Sequence, residues 1–174
     1  MVGYVALGSN VGEREGHLRA GILALPASGL AVTDVSSVWE TEPTDGAGPA
    51  WFLNMVVRVV TDLTPERALD VLLAAERDRG RLRTRPNAPR ELDLDLLLLG
   101  REQRATATLD LPHPRLWTRR FVLAPLAEIA PGLVNPASGR TAEQELASLG
   151  DAPVVRRVGP LALPETLPLY SRAL

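Results

Sequence analysis

The sequence predicts an α+β fold: an antiparallel sheet with helices packed over one face. Three observations lead there. Short apolar runs with strand character and longer amphipathic runs succeed one another in the order strand, helix, strand, strand, helix, strand. Segments rich in Gly, Pro and Asp punctuate them. The length of 174 residues suits one domain with a substantial core and is short for two.

The opening VGYVALG, residues 2–8, is β-branched and apolar, and Ser9 and Asn10 after it suit the cap of a helix. In that helix Leu18, Ile22 and Leu25 recur at helical spacing, and Pro26 with Gly29 ends it. LAVTDVSSVWET, residues 30–41, alternates as one strand and stops at the turn-rich PTDGAGPA. WFLNMVVRVVT, residues 51–61, is a long apolar third strand. Thr64-Pro65-Glu66 then starts a helix, with threonine as cap, proline in the first turn and an acid at the positive end of the dipole. Leu69, Leu72, Leu73 and Glu76 carry it to Gly80. PRELDLDLLLLG, residues 89–100, is the fourth strand. The order is the split βαβ pattern of ferredoxin-like folds. Beyond it, residues 119–130 predict another helix, interrupted near Pro125, and residues 140–150 a shorter one. Residues 1–150 are expected to form a single domain, followed by a tail over 151–174 whose four prolines favour an extended arm or short strands.

Composition removes whole classes of function. No apolar run approaches the roughly 20 residues of a membrane span, and the N-terminal residues lack the pattern of a secretory signal. With 0 cysteines there is no thiolate metal site, and the cytoplasm is the expected compartment. A formal net charge of -2 gives no general affinity for nucleic acid or anionic lipid. All 19 basic residues are arginine, so phosphate loops, kinase sites and Schiff bases that require lysine are excluded. The arginines concentrate at Arg77, Arg79, Arg81, Arg83, Arg85 and Arg90, each a fixed fork of donors matched to phosphate oxygens.

The fourth strand holds the chemistry. Residues two apart on a strand share a face, with Cα atoms about 6.5–7 Å apart, so Asp93 and Asp95 lie together while Leu92, Leu94 and Leu96 turn to the core. Two carboxylates this close repel, and beside an apolar core one tends to keep its proton. A divalent cation removes the conflict, and magnesium commonly takes one or two carboxylates plus substrate phosphates. Two readings stand at this point: a magnesium–polyphosphate site, or acids neutralised by neighbouring arginines.

Six ordered segments narrow the choice. YVALGSNVG (Tyr4 to Gly12), SSVWETEP (Ser36 to Pro43), FLNMVV (Phe52 to Val57), ERDRGRLR (Glu76 to Arg83), PRELDLDLLLLG and LPHPRLWTRRFVLAPLAEIAP (Leu111 to Pro131) resemble the successive blocks of the 6-hydroxymethyl-7,8-dihydropterin pyrophosphokinase family. The resemblance covers residues 4 to about 136 and implies a ferredoxin-like core. It further implies transfer of pyrophosphate from ATP to the pterin hydroxymethyl oxygen, with release of AMP, in folate synthesis. Asp93 and Asp95 would then hold two magnesium ions, and Arg81, Arg83 and Arg90 would act on the phosphates as catalytic groups. Glu76, Arg81, Arg90, His113 and Arg119 match the family's ATP side; Gly8, Thr41, Pro43, Phe52, Asn54 and Phe121 match its pterin side. Asn54 offers donor and acceptor to a heterocycle edge, and Phe121 a face for stacking.

One departure stands out. The family's Arg-Trp-Gly-Pro-Arg run is here Pro86-Asn87-Ala88-Pro89-Arg90, without the stacking tryptophan, and Trp51 and Trp117 are the candidates to replace it. The altered loop is the sole support for an alternative, a non-catalytic ferredoxin-like ligand-binding or regulatory domain. An RNA-recognition role needs exposed strand aromatics, and 4% aromatic content with a negative net charge opposes it. The expected partners are therefore small molecules, with a monomer as the expected state and a dimer as the alternative.

Overall fold

The apolar runs pair into one six-stranded sheet, and the neighbours along it are antiparallel. The structure is a computed structural model that describes residues 1–43, 49–78 and 90–165. Its strands are β1 (Val2–Ser9), β2 (Ala31–Val35), β3 (Val38–Thr41), β4 (Phe52–Val60), β5 (Asp93–Leu99) and β8 (Val155–Gly159). They run in the order β5-β1-β4-β3-β8, with β2 also paired to β4. A separate ribbon joins β6 (Arg104–Ala105) to β7 (Asp110–Leu111). The helices are α1 (Arg14–Ala27), α2 (Pro65–Arg77), α3 (Arg120–Ile129) and α4 (Ala142–Ser148).

Helices cover both faces rather than one. Leu18 and Ile22 of α1 and Leu72 of α2 pack on Val5, Leu7, Met55, Val57, Leu94 and Leu96. On the opposite face Val122, Leu123 and Leu126 of α3 cover Tyr4, Val56 and Leu97. The reason lies in the strands: Val56 and Val57 are neighbours pointing to opposite faces, and both are fully buried, as strands covered on both sides require.

Several expected features differ in detail. The predicted strand over residues 30–41 is divided into β2 and β3, because the Ser36 hydroxyl accepts the Val56 N–H at 2.9 Å and interrupts the main-chain ladder. Ser9 and Asn10 do not cap α1: Ser9 ends β1, and the helix begins at Arg14 after Glu13 with no side-chain cap bond. Thr64 does cap α2, its hydroxyl accepting from the Arg67 N–H; the expected end at Gly80 lies outside the described residues. Pro125 does not interrupt α3. Its ring is buried in the helix, and the missing N–H forfeits a single i→i−4 bond.

The edge strand β5 is covered. Glu76, 1% exposed, accepts the Leu94 N–H at 2.8 Å, and the His113 N–H donates to the Leu97 carbonyl at 2.7 Å. Between Leu96, which pairs with Val5, and Leu98, which pairs with Tyr4, Leu97 is an extra residue, a β-bulge. At the opposite edge β8 pairs with β3, and Leu161 beyond it is buried in the core against the first two helices.

Candidate active site

Register along three adjacent strands assembles the site. Gly8, near the end of β1, stands opposite Asn54 of β4 and Asp93 of β5, and Ala6 stands opposite Asp95. All lie on the face that α3 covers further along, so the strand ends beyond α3 floor an open cleft. Between its walls lies about 750 Å³, a figure that includes open solvent. A Cβ on Gly8 would stand 3.1 Å from Asn54 Oδ1. Glycine thus lets Asn54 and Asp93 meet the cleft across bare backbone.

One end of the cleft is lined by polar and aromatic side chains. Thr41 is 2% exposed and Asn54 8%, and Asn54 Nδ2 donates to Thr41 Oγ1 at 2.9 Å, which fixes the amide's orientation. Phe52 and Phe121 add aromatic surface. The Arg119 guanidinium lies 5.3 Å from the Phe121 ring centroid, a cation–π contact. Of the residues expected on the pterin side, Gly8, Thr41, Phe52, Asn54 and Phe121 line this cleft. Pro43 is half-buried beside it, while its neighbour Glu42 takes the lining position.

The other end is ionic. Asp93 and Asp95 are half-buried on the same strand face, with Arg90 and Arg119 beside them. Arg90 Nη1 pairs with Asp93 Oδ2. Burial pushes the Asp95 carboxyl above the ordinary aspartate value, and the Asp93 charge pushes it further. Burial pulls the His113 imidazole down, against the attraction of Asp95. His113 Nδ1 accepts the Arg115 N–H at 3.2 Å, which leaves the ring proton of the neutral form on Nε2.

A second cavity opens on the far side of Asp95. Leu69 and Leu73 of α2, Leu94 and Leu96 of β5, Thr106, Leu109 and His113 line it, around about 1070 Å³ that includes open solvent. Asp95 belongs to both cavities. Sequence reasoning missed this chamber: its leucines fit the helical and strand periods of a core, and the β6–β7 ribbon that supplies its outer wall is too short to give a periodic signal.

The expected ATP contacts divide. His113 lines the second cavity; Arg90 and Arg119 line the first. Glu76 reaches neither lining and is instead bound to the Leu94 N–H. Arg81, Arg83 and the loop Pro86-Asn87-Ala88 lie outside the described residues. Neither candidate replacement tryptophan lines the cleft: Trp51 lies under the Arg156 guanidinium at 5.0 Å, and Trp117 packs on the α3 core.

The site's donor set suits a hard cation. Among the described residues no group of three or more His, Asp or Glu gathers; Asp93 and Asp95 are the pair that could offer carboxylate oxygens, and a divalent ion would relieve their mutual repulsion. Phosphate and water would complete such an ion's oxygen shell.

Comparison with known proteins identifies the family and the fold. Residues 4–131 match the family described as 7,8-dihydro-6-hydroxymethylpterin-pyrophosphokinase. A Bacillus subtilis (strain 168) protein named 2-amino-4-hydroxy-6-hydroxymethyldihydropteridine pyrophosphokinase is 43% identical over 145 residues, covering 83% of this chain and 87% of its own length. A Methylorubrum extorquens protein of the same name is 39% identical over 154 residues, covering 88% of this chain and 96% of its own. Among solved structures, one described as HPPK-DHPS in complex with substrates superposes with a TM-score of 0.66 at 12% identity, over 84% of this chain and 43% of that one. A Plasmodium falciparum HPPK-DHPS wild-type structure gives 0.61 at 11% identity, over 84% and 44%. The chain thus spans less than half of these solved chains, and at such identities they show the shared fold. With the matching sequence blocks, the curated relatives and this fold together, the chain belongs to the 7,8-dihydro-6-hydroxymethylpterin-pyrophosphokinase family.

Proposed function

We propose that the protein transfers the pyrophosphoryl group of ATP to the hydroxymethyl oxygen of 6-hydroxymethyl-7,8-dihydropterin, releasing AMP, as a step of folate synthesis. One observation carries the reading: Asp95, beside Asp93, lines both cavities. A group passing from a ligand in one to a ligand in the other would meet the carboxylate pair.

In this reading the heterocycle occupies the cleft over Gly8, with the amide of Asn54, set by Thr41, reading its edge and Phe121 stacked on its face. The nucleotide occupies the leucine-walled cavity, with neutral His113 at its rim. The hydroxymethyl oxygen forms a bond to the β-phosphorus. The bond from that phosphorus to the α,β-bridging oxygen breaks, its electron pair leaves with AMP, and the hydroxyl proton passes to solvent. Arg90 and Arg119, with Arg81 and Arg83 from the neighbouring segment, orient the phosphates and offset their charge. Holding both reactants on one rigid strand end supplies the proximity on which such transfers depend. Asp93 and Asp95 would hold magnesium, two ions by the family's pattern, and that metal when bound supplies charge that makes the β-phosphorus more electrophilic. A monomer is part of this reading, and an ATP-dependent reaction on small molecules suits the cytoplasm.

The test is a product assay with ATP, magnesium and 6-hydroxymethyl-7,8-dihydropterin. AMP should appear only when pterin and metal are both present. ADP in place of AMP, or no product while both ligands bind, would refute pyrophosphoryl transfer.

A further inference from the structure

Asn10 stands just past the end of β1, where a helix cap is expected, yet α1 begins only at Arg14. Its hydrogen bonds run elsewhere. The Asn10 N–H donates to the Arg90 carbonyl at 3.0 Å, and Asn10 Oδ1 accepts the Arg90 N–H at 2.7 Å. Regular β1–β5 pairing ends at Gly8 opposite Asp93, so this double bond adds one rung beyond the sheet, with a side-chain oxygen in place of the main-chain carbonyl. Asn10 is 5% exposed, and its Nδ2 has no partner among the described residues. A buried amide that leaves a donor unmet is unfavourable as filler; it is retained here for its oxygen.

We propose that Asn10 is a positioning residue: it fixes the main chain at Arg90 and so sets the Arg90 guanidinium at Asp93. Arg90 closes the arginine-rich segment over residues 79–89, and its Nη1 is paired with Asp93 Oδ2. Among the described residues, Arg90 without the rung would be held through its own side chain and the turn leading into β5. A displacement of about 1 Å in a positioned charge can cost about a hundredfold in rate. The proposal's catalytic part rests on the pyrophosphoryl-transfer reading; its structural part does not.

The experiment combines amide hydrogen exchange followed by NMR with a double-mutant cycle. In the unaltered protein the Arg90 amide should exchange as slowly as the β1–β5 ladder amides although it lies outside the strand. Rapid exchange there would overturn the proposal without any variant. In Asn10→Ala that amide should exchange at least about tenfold faster with the Tyr4 and Ala6 amides unchanged, whereas Asn10→Asp, which keeps the acceptor, should preserve protection. For turnover, Asn10→Ala should lower kcat about 10- to 100-fold with the pterin KM within about threefold. Added to Arg90→Ala, it should cost less than about threefold more, because the group it positions is gone. Fully multiplicative losses would show that Asn10 acts independently of Arg90 and would sink the proposal. If the unaltered protein forms no AMP, the functional reading fails by itself, and the exchange rates still decide whether Asn10 holds Arg90.

Discussion

Asp95 is the residue on which both chambers converge, and its electrostatics set opposing demands. Its carboxyl is raised above the ordinary aspartate value by burial and then by Asp93, so the folded protein binds this proton more tightly than the unfolded chain does. The contribution to stability is therefore greatest at low pH and is lost as pH rises from the unfolded to the folded value. Asp95→Asn should raise the thermal midpoint at pH 7 in the absence of magnesium, while lowering turnover by about 10²–10³-fold or more. Lower stability with normal AMP formation would dismiss the carboxylate pair as the reacting centre. Metal binding in the proposed reading runs the opposite way, because the proton competes with the cation: magnesium affinity, followed by calorimetry, should fall as the buffer is acidified through a range above the ordinary aspartate value. Asp93→Asn should shift the Asp95 carbon-13 titration downward without returning it fully to that value, because burial remains. The pairing of Asp93 with Asp95 was legible in a period of two, since strand geometry alone puts both on one face. The place of Asp95 between two cavities was not, because it depends on a ribbon of residues 104–111 that follows β5.

At the scale of elements, β5 is the acidic strand at a sheet edge, and Glu76 of α2 closes that edge. Its carboxylate takes the N–H of Leu94, the residue between the two aspartates. Glu76→Ala would leave that buried donor unmet, and a cost of about 2–3 kcal/mol in urea unfolding is expected. Glu76→Gln, which keeps an acceptor, should cost under about 1 kcal/mol. Equal losses would mean that charge rather than the hydrogen bond is at work. The apolar period of α2 and its Thr64-Pro65 start were plain in the sequence; the destination of Glu76 was not, because helical period places a residue on a face and says nothing of what it meets. The Ser36 break between β2 and β3 was hidden for a related reason. A serine hydroxyl that substitutes for a main-chain partner leaves the alternation of the surrounding residues intact.

For the molecule as a whole, the C-terminal segment extends the sheet. β8 adds to β3, Arg156 and Arg14 share Glu40, Arg157 reaches Glu128, and Leu161 enters the core. The apolar contact should dominate: Leu161→Ala is expected to cost about 2–5 kcal/mol, and Arg157→Ala, whose side chain is 57% exposed, under about 1 kcal/mol. Chemical denaturation of the two variants measures both, and the reverse ranking would mean that β8 is held chiefly by charge. Short strands were one of the two expectations for this tail, and β8 is such a strand; the run of residues 154–161 has no alternation that would have fixed its bounds or its pairing with β3. The α+β order of the first 100 residues, by contrast, was readable because local period and capping agree there with the tertiary fold.

The bulge at Leu97 has a consequence for changes in chain length. Because the extra residue is absorbed locally, Asp93 and Asp95 keep one face and Leu99 keeps the core on either side of it. Deleting Leu97 would therefore restore an ordinary ladder without inverting the strand. What it would remove is the carbonyl that receives the His113 N–H. A one-residue deletion, rather than any exchange of side chains, is the alteration that would detach the histidine's anchorage while leaving the acidic strand end in register.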